Sequence, residues 1–140
     1  MTNKELLQSM SELKNDIDAQ KQLGSNLLKL KNIDILTLQE IRSNIESAIE
    51  KLKDQQETLI LRNTTNAIQH LGVEYRASKL IRMKEELTLK LEFESILANV
   101  VSDDEKIIRI SLEAFQKVQQ YKKEIGQILN TLNNYNNQEW

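Results

Sequence analysis

Cysteine and proline are absent from this chain of 140 residues, glycine occurs three times, and aromatic residues make up 4%. Without cysteine there is no disulfide framework and no thiolate chemistry, a usage that suits a reducing compartment. Without proline few breaks are forced on the backbone, so long helices are expected. The single histidine, His70, excludes a His/Cys metal site within one chain. It leaves a catalytic triad only if the fold brings a serine to it. There is no Walker loop, no glycine-rich dinucleotide turn, no Gly-x-Ser-x-Gly elbow and no ferritin-type Glu-x-x-His. An enzyme is not expected, and no cofactor or metal is implied.

Long apolar runs are missing too. The longest, such as Leu59-Ile60-Leu61, are three residues, against the roughly 20 a membrane helix needs. The opening MTNKELLQSM has no apolar core of a signal peptide. A cytoplasmic protein that does not enter membranes is expected. The net charge of −2 argues against general nucleic-acid binding, which favours a basic domain.

What is present is a helical composition. Leu, Lys, Glu, Gln and Ile dominate, the mixture of coiled coils and long-helix bundles. The length suits one domain spanning 1–140, since domains of about 100–150 residues are commonest. Apolar residues reach only 39%, below the usual roughly 45–50%. A thin core on long helices points to burial between chains, and a homo-oligomer is expected.

Thr2-Asn3-Lys4-Glu5 reads as a capping box. Leu6, Met10, Leu13 and Ile17 follow at alternating four- and three-residue spacing, a seam that weakens through Gln20 and Gly24 to Leu27. The first helix is expected over about 3–30. Thr37-Leu38-Gln39-Glu40 reads as a second capping box and opens the longest helix, about 38–71. Its seam is Leu38, Ile41, Ile45, Ala48, Leu52, Gln55 and Leu59, then Arg62 or Asn63 and Asn66. Gly72 suits the close of that helix, and Ser78 a cap for a third over about 78–100. The third carries two stripes, Leu80, Met83, Leu87, Leu91 and Leu89, Phe93, Ile96, Val100, and is expected to be the most buried. Ser102-Asp103-Asp104-Glu105 reads as a polar turn able to cap a new helix. The β-branched run 106–110 suits a short extended segment, with Ser111 capping a last helix over about 111–134. That helix shows a seam of Phe115, Val118, Ile125, Leu129 and Leu132 before an Asn-rich end expected to fray. The fold class expected is all-α: an antiparallel bundle of about four long helices with coiled-coil-like seams.

The stretch from Leu59 to Leu91 breaks this regularity. Asn63, Thr64, Thr65, Asn66, Gln69 and His70 arrive where the stripe predicts apolar residues. Between Arg62 and Lys90 six Lys/Arg face three acids, an excess of cations in a chain of net −2. Arginine offers a planar fork for phosphate or carboxylate, and Asn and Thr both donate and accept. One reading is a pocket at a subunit junction for a small anionic, nucleotide-like ligand, lined by Arg62, Asn63, Asn66, His70, Arg76, Arg82 and Lys84. The other is that the polar seam only sets register and subunit number, as a buried Asn does in coiled coils, or forms a satisfied interhelical network. A lone histidine fits packing or a surface role better than catalysis, and Arg76 and Lys79 fit solvated positions.

Leu80-Ile81, Lys84 and Leu87-Thr88-Leu89-Lys90-Leu91, with Asn63-Thr64-Thr65-Asn66 upstream and Phe115-Gln116-Lys117-Val118 and Asn130-Thr131-Leu132 downstream, carry a family resemblance. Over roughly residues 55–137 the chain resembles the septicolysin family of small helical bacterial proteins. It departs from that pattern at Leu129 and Asn137, where the family has aspartate and tryptophan, and in lacking a proline-containing loop. The resemblance implies an all-helical, oligomer-forming protein without an established activity. The reading that follows is a non-enzymatic homo-oligomer that binds. It sequesters a small anion or inhibits a protein partner, a role that would suit phage–host conflict. The competing class is a structural assembly protein. A membrane-active lysin fits least, because no face exceeds an ordinary bundle stripe.

Overall fold

The computed structural model describes residues 1–64 and 73–138, with side chains described for residues 1–62 and 76–135. Four helices follow in order: α1 (Asn3–Leu27), α2 (Ile35–Thr64), α3 (Val73–Ala98) and α4 (Glu105–Gln138). Among the described residues there is no strand. The all-helical expectation is met. Gly72, Asn66, His70, Trp140 and the expected extension of the second helix over 65–71 lie outside the described residues.

Caps explain where the helices start. Thr2 Oγ1 accepts from the Glu5 amide at 3.1 Å and donates to the Glu5 carboxylate at 3.1 Å, which opens α1 as its sequence predicts. The second helix starts earlier than the Thr37 box predicts. Asp34 Oδ1 accepts from the Leu36 and Thr37 amides at 3.1 and 3.4 Å, while the Thr37 hydroxyl donates to Asp34 Oδ2 at 2.8 Å. Asp34 is the cap, and Thr37 braces it from inside the first turn. These bonds hold the exposed Asp34 carboxyl below its ordinary pKa, the Thr37 hydroxyl contributing most. Ser78 caps nothing, since α3 is already under way at Val73.

The expected extended segment at 106–110 is helical. Asp104 Oδ1 accepts from the Lys106 amide at 2.9 Å, and Ile107 and Ile110 are buried at helical spacing with Ala114 and Val118. β-Branched residues lost to this packing. The α4 seam is therefore Ile107, Ile110, Ala114, Val118 and Ile128, whereas Phe115 and Leu129 are 54% and 43% exposed. The Asn-rich end stays helical to Gln138, which makes α4, at 34 residues, the longest helix among the described residues. α1 ends at Leu27, short of 30, where Leu28 and Lys29 amides turn back onto Gly24 and Asn26 carbonyls.

Among the described residues, one buried cluster draws on all four helices. α2 contributes Leu38, Ile41, Ile45, Ile49 and Leu52, α1 Ile17, α3 Phe93 and Leu97, and α4 Ile110 and Ala114. The most buried stripe thus belongs to α2; α3 leaves Ile81 and Met83 exposed. Side-chain pairs tie α2 to α1 at Gln55–Ser9 and Asn44–Gln20, and to α3 at Arg42–Glu94 and Gln56–Glu85. Lys21 of α1 pairs with Glu92 of α3 and with Asp18.

Candidate functional site

Three polar side chains are buried among the described residues: Gln56, Arg82 and Glu94. Two of them organise charged clusters between helices. In the first, Arg42 of α2 grips Glu94 of α3 with both prongs, Nε to Oε1 at 2.8 Å and Nη2 to Oε2 at 2.7 Å. Lys117 of α4 adds a third helix, its Nζ 3.7 Å from Glu94 Oε1. Burial alone would lower the Arg42 pKa; the Glu94 bond and charge outweigh it and hold the guanidinium above its ordinary value. The fork engages both oxygens of the carboxylate, so this cluster is a bidentate joint between helices.

The second cluster is incomplete. Arg82 sits on α3 with 5% exposure, and its Nη2 donates to Glu57 Oε1 of α2 at 3.0 Å. Its Nε is buried and has no hydrogen-bond partner. A buried donor left unmatched costs on the order of 1–3 kcal/mol, so native structures nearly always satisfy it. Arg82 lines a cavity of about 440 Å³ between α2, α3 and α4, with Lys53, Glu57, Lys79, Glu86 and Glu124 around it and Met83, Leu87 and Ile128 as its apolar wall. Glu86 is already held by Lys90 at 3.0 Å, with Lys53 at 3.9 Å. Burial lowers the Lys90 pKa, but the bond to Glu86 and its charge raise it overall. Three cations, Lys53, Lys79 and Arg82, thus share the lining with three carboxylates, Glu57, Glu86 and Glu124, against aliphatic carbon.

Of the residues expected to form a pocket, Arg62, Arg76, Arg82 and Lys84 have described side chains. Arg62 is exposed at the end of α2, and its Nη1 donates to Asn3 Oδ1 of α1 at 3.2 Å. Arg76 is exposed on α3, and Lys84 is half-buried. The cavity lining includes Arg82 and not Arg62, Arg76 or Lys84. The side chain of Asn63 and all of Asn66 and His70 lie outside the described residues.

Sequence reasoning missed Arg42, Glu57 and Glu94, and a signal for the α3 residue was there. The stripe Leu80, Met83, Leu87, Leu91 runs on to Glu94 and Ala98, so a carboxylate sits on an apolar track. The second stripe, followed back from Phe93 and Leu89, lands on Glu86 and Arg82. Charged residues at core positions ask for buried partners. Which partners only the packing of helices could say.

Among the described residues, no group of three or more His, Asp or Glu is placed to hold a metal ion, and no helix is long and apolar enough to cross a membrane. No protein-family model matches the chain, and no curated protein or solved structure matches it significantly.

Proposed function

We propose that the protein is a non-enzymatic, cytoplasmic homo-oligomer of antiparallel helical bundles that acts by binding a small anionic, nucleotide-like molecule at Arg82. The carrying observation is the Arg82 guanidinium, buried at one wall of the cavity with its Nε unmatched. A phosphate or carboxylate oxygen would satisfy that donor. It would compete with Glu57, whose side chain is 40% exposed and can swing to water. Lys53 and Lys79 would supply further positive charge, and Met83 and Leu87 a surface for an apolar ring. The pairs Arg42–Glu94 and Gln56–Glu85 support the antiparallel sense of α2 and α3, since rising numbers on one meet falling numbers on the other. The septicolysin resemblance is in keeping with this reading, as a family of helical oligomers.

Native mass spectrometry of protein taken from cell extract tests it first, by the extra mass of a retained small molecule. A thermal-shift panel of nucleotides and inorganic phosphate is the second arm. A ligand at about 100 times its Kd stabilises by about 2.7 kcal/mol, a rise of roughly 5–10 °C in a domain of this size. Arg82→Ala should abolish the rise. No retained mass and no shift with any of the panel would refute the anion site.

A second reading, a structural assembly protein, is favoured by the Arg42–Glu94–Lys117 joint, which ties three helices together and needs no ligand to explain it. It predicts that Arg82→Ala changes stability and leaves every thermal shift at zero difference.

A further inference from the structure

The outer surface of α4 carries a second periodic stripe. Ile108, Leu112 and Phe115 are 42%, 61% and 54% exposed, on a different face from the buried Ile107, Ile110, Ala114 and Val118. The stripe continues at the same three- and four-residue spacing to Glu105 on one side and to Gln119 and Lys122 on the other, all exposed. Apolar residues at its centre, an acid at its start and a base at its end make a pattern with a polarity. Such a strip is complementary to itself when turned end for end.

We infer that two copies of this chain pair α4 against α4 about a twofold axis lying between Leu112 and Phe115. In antiparallel coiled-coil packing this register sets Leu112 of one copy against Phe115 of the other and Ile108 against Gln119. It also sets Glu105 against Lys122, twice by symmetry, with Asp104 and Lys123 flanking each pair. Sliding one copy by a heptad puts Leu112 against Lys122 in one direction and Glu105 against Phe115 in the other. Either slip loses the charge match and buries a charge on an apolar side chain. The charge pattern thus selects both the partner, a second copy, and the register. An isologous contact of this kind closes on itself and leaves no open end for fibre growth. It also covers apolar side chains that a thin core leaves in water. The interface deepens the homo-oligomer part of the proposed function and rests on it, while using none of the residues around Arg82.

Sedimentation equilibrium of the full chain, with circular dichroism to verify helicity, tests the inference. The wild-type chain should be a dimer or a higher multiple built on it at micromolar concentration. Leu112→Glu with Phe115→Glu should halve the assembly and leave the helical signal intact. Glu105→Lys and Lys122→Glu should each weaken dimerisation about tenfold, through two like-charge contacts per dimer, and the double reversal should restore it to within about threefold. A wild-type monomer would overturn this interface and the homo-oligomer reading together. An oligomer that ignores the Leu112/Phe115 substitutions, or a charge reversal the double variant does not rescue, would overturn the interface alone.

Discussion

A β-carbon built on Gly24 of α1 would lie 2.6 Å from Cε2 and 3.1 Å from Cζ of Phe93 on α3. The Phe93 ring is 2% exposed, so it has nowhere to retreat. Gly24 is a contact surface, the hollow into which α3 sets the buried Phe93 ring.

Two substitutions of the same chemistry should therefore differ in sign. Alanine gains up to about 1 kcal/mol over glycine within a helix. At Gly126, where an added methyl meets nothing within 4 Å, that gain should appear undiminished. At Gly24 the overpacking should outweigh it, for a net loss of about 1–2 kcal/mol. Urea unfolding of Gly24→Ala and Gly126→Ala decides it; equal effects would mean that the ring yields freely.

Arg42 and Glu94 should be strongly coupled. Their side chains are 15% and 5% exposed, so removing either leaves a poorly solvated charge without its main partner. Each single alanine variant should cost about 3 kcal/mol, Glu94→Ala stranding Arg42 and Arg42→Ala leaving Glu94 only Lys117. The double variant should cost much less than the two losses added. A double-mutant cycle by urea denaturation measures the coupling, and additive losses would show that the fork contributes little.

Stability should fall off at alkaline pH for a stated reason. Burial raises the Tyr121 pKa above its ordinary 10.0, the nearby Lys90 charge opposes this, and Glu94 and Glu46 add to it. The Lys21 and Lys90 values are raised above 10.5, their acidic partners outweighing burial. All three groups are thus raised on folding. The stability they contribute is whole below the unfolded-state values and is lost as pH climbs through the folded ones. Melting temperature should decline above about pH 10, with the decline reduced in Tyr121→Phe. Absorbance titration should show a late-ionising tyrosine component that Tyr121→Phe removes.

Asp34 acts at the other end of the scale. Its lowered pKa means that its contribution is present above the ordinary 3.8 and disappears as pH falls through the folded value. Asp34→Asn should keep the cap and flatten that acid limb, whereas Asp34→Ala should lower the melting temperature at neutral pH. Thermal melts from pH 3 to pH 7 would register both, and a Thr37→Ala effect larger than that of Asp34→Ala would contradict the cap assignment.

Helix existence, the seam of Leu6, Ile17 and Gly24, and the α2 stripe from Leu38 to Leu52 were legible from the order of residues, because apolar period is a local property. Helix starts were less so. Thr37 and Asp34 both look like caps, and choosing between them depends on which turn closes first. The α4 face was legible only in part, with Val118 of its expected seam buried and Phe115 exposed, because two stripes, Ile107–Val118 and Ile108–Phe115, are both apolar at helical spacing, and only the packing of neighbouring helices decides which one is covered. The surroundings of the individual cations were no more legible. Arg62 and Arg82 share chemistry and a stretch of chain, yet one meets Asn3 at the end of α1 and the other Glu57 in mid-bundle. Composition and period alone thus determined a proline-free, all-helical chain with polar groups set among apolar ones. Tertiary structure decided which of those groups are buried, with whom they pair, and that Arg82 keeps one donor in reserve. Burial and partnership are set by the neighbouring helix, which no local pattern specifies.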